Sequence, residues 1–352
     1  MPKDKIKDEH RKVLEEIWKT YPNVIGFSLN YQKKIVGGQE TEEPCLRIYV
    51  SKKVPKDYLT SDIIIPSSID GIKTDVVEIG EVKILPLFPL PKAKVASKTE
   101  KVRPVVLGVS IGNEQITAGT CSYLMKDKNG NVVVSSNAHV FTDRDPSKQP
   151  EQIEWKKILQ PGKYDGGTLD DWVATYLWHK PIIPLGDESN CPIGKIVCVT
   201  YNFFSNLLGR KTLLQPIIRP IFNKIDFAVA TPFQPSYFEN RLFDEDNLNN
   251  IASIGLLFAG SETSTIVCKM TNILQEGYSP LPPFDKVAEA KEGITVYKTG
   301  RTTCKTSGTV LDSAGVVNVS YGDYVATFED VIISDMKSAG GDSGSPVWCY
   351  LS

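Results

Sequence analysis

A serine is a poor nucleophile until a base removes its proton and fixed donors stabilise the oxyanion it creates. The stretch Ala339-Gly340-Gly341-Asp342-Ser343-Gly344-Ser345-Pro346 in this 352-residue chain has the composition for the second task. Its glycines allow tight backbone turns, so that the amides of Gly341 and Ser343 can converge on one oxygen. The same residue types also build ordinary surface turns. The rest of the chain must therefore supply a base.

Three histidines are available, His10, His139 and His179. None follows Ser343, which excludes the Ser, Asp, His order of α/β-hydrolases, and Ser345 breaks the Gly-x-Ser-x-Gly elbow. His10 falls in a charged helical pattern. His179 precedes Lys180-Pro181, where a solvated or structural role is the ordinary outcome. His139 instead ends Val132-Val133-Val134-Ser135-Ser136-Asn137-Ala138, a β-run that finishes in small residues and can deliver an imidazole to a cleft. A third group should orient that imidazole. Asp226, leading into Phe227-Ala228-Val229-Ala230, is the best candidate, since a carboxylate entering an apolar strand needs a partner. Asp165, Asp170 and Asp171 compete with it.

The elements that must position these groups follow from periodicity. Ile6, Val13, Leu14, Ile17 and Trp18 put one apolar stripe on a helix over residues 5–20. Strands are expected at 25–31, 46–50 and 76–84, which makes residues 1–85 a small α/β domain. Lys34-Ile35-Val36-Gly37-Gly38 resembles an activation site of trypsin-like zymogens, but Gly37-Gly38 lies between two expected strands and reads as a hairpin turn. Pro86, Pro89, Pro91 and Pro104 mark a linker over 86–104. Short strands then recur at 105–111, 117–125, 132–135, 172–178 and 196–199, the pattern of a sandwich or barrel. Residues 201–222 interrupt them with an apolar and basic stretch, read as a packed insertion rather than a membrane-touching loop. Strands resume at 225–230, 294–298, 308–311, 316–321, 324–328 and 331–334.

Composition bounds the function. With 41% hydrophobic and 9% aromatic residues the chain can build a sizeable core. Forty basic residues against 42 acidic ones, net charge −2, give no global field toward nucleic acid or an anionic membrane. No run of about 18 apolar residues suggests a membrane span. The charged N-terminus lacks a secretory pattern, so a cytoplasmic location is expected. Seven cysteines, at 45, 121, 191, 198, 268, 304 and 349, include no Cys-x-x-Cys, so no metal site and mostly reduced thiols are expected, with Cys191 and Cys198 the one pair near enough for a hairpin bridge. Nothing in the sequence calls for a cofactor.

Thr117-Ala118-Gly119-Thr120, Asn137-Ala138-His139-Val140, Asp226-Phe227-Ala228-Val229 and Gly341-Asp342-Ser343-Gly344-Ser345-Pro346 stand in the order His, Asp, Ser. In this the chain resembles the trypsin-like (chymotrypsin-fold) serine peptidases. It is more similar to a prokaryotic branch that carries an N-terminal α/β domain and blocks like Arg103-Pro104, residues 160–167 and Lys298-Thr299-Gly300-Arg301-Thr302-Thr303. The resemblance implies a mostly β fold of two chymotrypsin-like antiparallel barrels behind the small α/β domain. The first barrel, 105–222, would carry His139; the second, 223–352, would carry Asp226 and Ser343. It further implies His139 as general base, Asp226 as its orienter, Ser343 as nucleophile, the amides of Gly341 and Ser343 as oxyanion hole, and a peptide or protein substrate. With an ordinary imidazole pKa near 6.5, activity should rise across roughly pH 6–8.

Three departures bear on that expectation. Nine residues follow Ser343, where this fold normally adds further strands, one of which pairs with the substrate backbone, so the second barrel is expected to be incomplete and the chain truncated. Lys337 stands where the family places the base of its side-chain pocket, hinting at an acidic substrate residue. Cys304 replaces an expected glycine. The competing expectation is a silent scaffold that binds peptides through the same cleft, with a small-molecule esterase as a variant of the enzyme reading. Oligomeric state is not legible.

Overall fold

The computed structural model describes residues 4–59, 64–84, 96–115, 118–143, 145–186, 196–202 and 222–351. Its architecture is mostly β, and the site is framed by two antiparallel barrels. In the first, β7 (Ser110–Asn113), β8 (Gly119–Thr120), β9 (Leu124–Lys126), β10 (Val132–Ser136), β11 (Lys157–Leu159), β12 (Trp172–His179) and β13 (Ala228–Pro232) pair in the order β9-β10-β13-β12-β11-β7-β8. β8 and β9 are two ends of one stretch. Between them Cys121 N still bonds Val109 O and Ser122 N bonds Ser135 O, so the sheet closes on itself. Val134, Ala174 and Ala230 share one face of this sheet and Tyr123, Ser135 and Val229 the other, and all six are fully buried.

The second barrel is also closed. Its strands are β15 (Ile251–Gly260), β16 (Thr265–Lys269), β18 (Thr295–Gly300), β19 (Cys304–Ser320), β20 (Val325–Ser334) and β21 (Pro346–Tyr350). They pair β18-β21-β15-β16-β20-β19, and β19 returns to β18. This corrects the expectation of an incomplete barrel. The places assigned to strands after Ser343 are taken by the hairpin β15–β16, inserted between β21 and β20 from upstream in the chain. Closure matters physically, because an open barrel would leave two rows of unpaired backbone groups.

Two further corrections concern placement. Asp226 leads into β13, which pairs with β10 and β12, so it belongs to the first barrel and not to the second. Residues 196–202 are helical rather than a strand, and Cys198 there is a free thiol. Cys191, most of the 86–104 linker, Thr117 and residues 203–221 lie outside the described residues. Among the described residues no helix is long and apolar enough to cross a membrane.

The N-terminal residues form helix α1 (Asp8–Thr20), β1 (Val24–Ser28), β2 (Gln32–Val36), β3 (Gln39–Val50) and β5 (Ile72–Glu78), with a short β4 (Ser68–Ile69). Gly37 and Gly38, at φ 59° and 82°, make the turn between β2 and β3. β1 bonds β19 on one side and β3 on the other, so these strands prolong the sheet of the second barrel. Leu14, Ile17 and Trp18 of α1 cover them, packing on Phe27, Leu46, Ile48 and Val316. The contact at Gly26 admits no side chain: a Cβ there would sit 1.9 Å from Val316 O. Gly26→Ala should therefore lower stability by about 1–3 kcal/mol, read as an earlier urea midpoint; an unchanged midpoint would mean that β1 does not depend on this approach.

Candidate active site

Each group that could do chemistry is set by a short backbone segment at the seam of the two barrels. His139 follows β10 in a single helical turn, α3 (Ala138–Phe141). Asp226 stands two residues before the first paired residue of β13, Ala228, which lies opposite Ser136 of β10. Strand pairing thus brings the two side chains together. His139 Nδ1 lies 2.6 Å from Asp226 Oδ2.

The Asp226 carboxylate is fully buried, so its charge must be met by donors. Oδ1 accepts from the backbone N–H of Ala138 at 2.6 Å and of His139 at 3.4 Å. Oδ2 accepts from the Tyr321 hydroxyl at 2.7 Å as well as from His139. An ionised carboxylate only accepts, so both partners donate. Nδ1 of His139 therefore carries a proton, and in the neutral ring Nε2 is the free acceptor. Tyr321, whose ring meets that of His139 edge-on, keeps its own proton, because burial and then the neighbouring Asp226 charge push the phenol well above its usual range. Cys268 of β16 accepts from Asp226 N through Sγ at 3.1 Å, and burial followed by the Asp226 charge keeps it a thiol. Tyr321 and Cys268 were missed by the sequence reading, since nothing local to either points to residue 226.

The competitors are accounted for elsewhere. Asp165 receives Arg301 Nε at 2.6 Å and the Ser110 hydroxyl at 2.5 Å, a buried bridge between the barrels. Asp171 pairs with Lys101, and Asp170 is exposed. His179 is tied through both ring nitrogens, to Tyr176 Oη at 2.6 Å and Pro146 O at 3.2 Å. His10 packs on Tyr31.

The loop before β21 is held from every side. Asp342 and Lys298 are both fully buried and form an ion pair at 3.2 Å. The carboxylate also accepts from Thr302 N, Thr303 N, Thr303 Oγ1 and Ala339 N. Burial pushes Asp342 upward, but Lys298 and the threonine donors outweigh it and hold the carboxyl below its ordinary range. Burial lowers the Lys298 ammonium, and Asp342 opposes that shift. Thr302 Oγ1 binds the carbonyl of Gly340 at 2.6 Å, and Thr120 Oγ1 binds that of Gly341 at 2.8 Å. Ser345 takes the carbonyl of Asp342 through both its amide and its hydroxyl.

Turning the carbonyls of residues 340 and 342 away has a geometric consequence, because in a trans peptide the following N–H points the opposite way. The N–H groups of Gly341 and Ser343 each point away from those bonds, and among the described residues neither has an acceptor. Both residues are buried, and backbone N–H groups left without an acceptor are the kind of donor that can meet a negative charge. Gly341 and Gly344 stand at φ 95° and 90°. A Cβ on Gly344 would come 2.2 Å from Ser136 Oγ.

Ser343 itself is nearly buried, and its carbonyl accepts from Thr120 N at 2.8 Å. A Cβ on Gly119 would fall 2.9 Å from that carbonyl and 2.5 Å from the side chain of Val140, the residue after His139. The segments that carry Ser343 and His139 thus both approach β8, and no hydrogen bond joins Ser343 Oγ to Nε2. Such bonds commonly tighten only in the substrate complex. Lys337 is exposed, its carbonyl bonded by Thr306 Oγ1, and the structure does not bring it into contact with the other three groups.

No protein-family model and no curated protein matches the chain. Among solved structures it is similar to a protease from Nocardiopsis at 12% identity, TM-score 0.30, over 70% of this chain and 92% of that one. An overlap of that depth says nothing about chemistry.

The buried pair generates a prediction. Asp342→Asn leaves an uncompensated ammonium in the core and should destabilise by about 3–5 kcal/mol, whereas adding Lys298→Met should restore much of the loss. The acid side carries a sign: a carboxyl depressed in the folded state contributes stability above the ordinary value near 3.9 and loses it as pH falls. The thermal midpoint of the unaltered protein should drop more between pH 5 and pH 3 than that of the double variant. Equal slopes would contradict the ion pair.

Proposed function

We propose that this chain is a serine endopeptidase. The observation that carries the reading is the conjunction at residues 341–343 and 139: a histidine with Nδ1 tied to a buried carboxylate, and, on a segment that approaches the same strand β8, a serine whose amide and that of Gly341 have no acceptor among the described residues. In this reading His139 Nε2 takes the hydroxyl proton while Ser343 Oγ attacks the peptide carbonyl, and Asp226 stabilises the imidazolium that results. The carbonyl oxygen becomes an oxyanion and receives the N–H groups of Gly341 and Ser343. His139 then gives its proton to the leaving amine, which departs with the electron pair of the C–N bond. Water, deprotonated by the same ring, releases the acyl group from Ser343.

Three donors on Asp226 besides the imidazole support an orienting role that needs no change in its own protonation. Tyr321 is then a positioning residue acting through the carboxylate. Hydrolysis of an internally quenched peptide library, with products weighed, tests the reading. Ser343→Ala and His139→Ala should each lower kcat/KM by at least about 10³, and Tyr321→Phe by a smaller factor near 10. Cleavage that persists in Ser343→Ala would remove the nucleophile from the account.

A further inference from the structure

β15 offers one backbone edge to two different partners. A bulge between Leu257 and Ala259 lets Leu257 and Gly260 both direct N–H and C=O away from β16. Leu257 spends its groups on the nucleophile loop, accepting from Gly344 N at 2.8 Å and donating to Ser345 O at 3.1 Å. Gly260 spends its groups on Lys83: it donates to Lys83 O at 3.0 Å and accepts from Lys83 N at 3.1 Å. At the usual rise per residue these contacts lie roughly 10 Å apart on the same edge. Lys83 is antiparallel to β15, as β21 is, so the direction from Val82 to Ile84 leads toward the nucleophile loop.

The opposite edge of this short segment is also used. Ser320 N donates to Val82 O and Ile84 N donates to Ser320 O, both at 3.0 Å. Ser320 immediately precedes Tyr321, the phenol on Asp226. Residues 82–84 therefore lie between the strand that holds the serine loop and the hairpin that holds the carboxylate. Lys83 points to solvent while Val82 is buried and Ile84 packs on the main core. Upstream the segment is clamped, since Ser261 and Ser264 hydroxyls both bind Ile79 O, and Gly80 at φ 75° leaves no room for a Cβ beside Ser261.

Peptide ligands commonly bind as an added strand on such an edge, their main chain supplying the affinity. We propose that residues 82–84 are a built-in occupant of the peptide-binding edge at Phe258–Gly260. The N-terminal residues restrain the site by lending it this strand, and an extended substrate must displace it. The proposal rests on the peptidase reading.

Lys83→Pro removes the N–H that Gly260 accepts and tests the point. A folded variant should show KM for an extended peptide amide lowered at least tenfold with kcat near the original. A KM that stays the same or rises in a folded variant overturns the proposal. The acyl burst from p-nitrophenyl acetate, a group too small to need the edge, should be equal in both proteins. Its absence from both would instead overturn the peptidase reading. Should Lys83→Pro not fold, hydrogen exchange of the unaltered protein decides. With an acetyl-tetrapeptide boronic acid bound, the Lys83 and Ile84 amides should exchange at least tenfold faster, and unchanged protection overturns the proposal.

Discussion

Everything at the seam depends on the ion pair between Asp342 and Lys298. Two charges with no solvent access are costly to bury, and they persist where geometry and further hydrogen bonds compensate them. Here compensation comes from Thr302, Thr303 and Ala339, all of which donate to the carboxylate. The same bonds fix the loop on either side of Asp342. Gly300, whose Cβ would fall 2.3 Å from Asp342 Oδ1, shows how tightly β18 approaches. Lys98 bonds the carbonyl of Gly300 at 3.1 Å and pairs with Asp244, and Arg301 reaches across to Asp165. Three buried cations thus knit the end of β18 and Arg301 to the loop that carries Ser343, to the first barrel and to the segment before it.

Barrel closure supplies the second constraint. Because β15 and β16 complete the ring from upstream, the edge beside Ser343 is offered by residues 257–260, and Asp226 is braced by donors from both barrels. A rigid frame of this kind is what preorganised electrostatics requires, since donors already in place cost no reorganisation when charge develops.

The local parts of this arrangement were legible in the sequence. Glycines around Ser343, the β-run before His139 and the acid at the head of an apolar strand each carry their meaning within eight residues. What stayed hidden depends on distant pairing. Nothing near Lys298 in the sequence marks its role, because its partner Asp342 lies 44 residues on in the chain. The strand Ile251–Gly260 is buried along its whole length, so it shows no alternation by which periodicity could mark it. Its length and its bounding by Asn249-Asn250 and Ser261-Glu262 were the available signal. The expected strand over 76–84 breaks at Gly80, whose positive φ turns 82–84 onto a different neighbour.

The most direct measurement of the central claim is intact mass after reaction with a fluorophosphonate, followed by peptide mapping. The account predicts a single adduct on Ser343, formed at a rate that falls sharply when His139 is replaced by alanine. A folded protein that takes up no adduct, or one labelled equally well without His139, would contradict it.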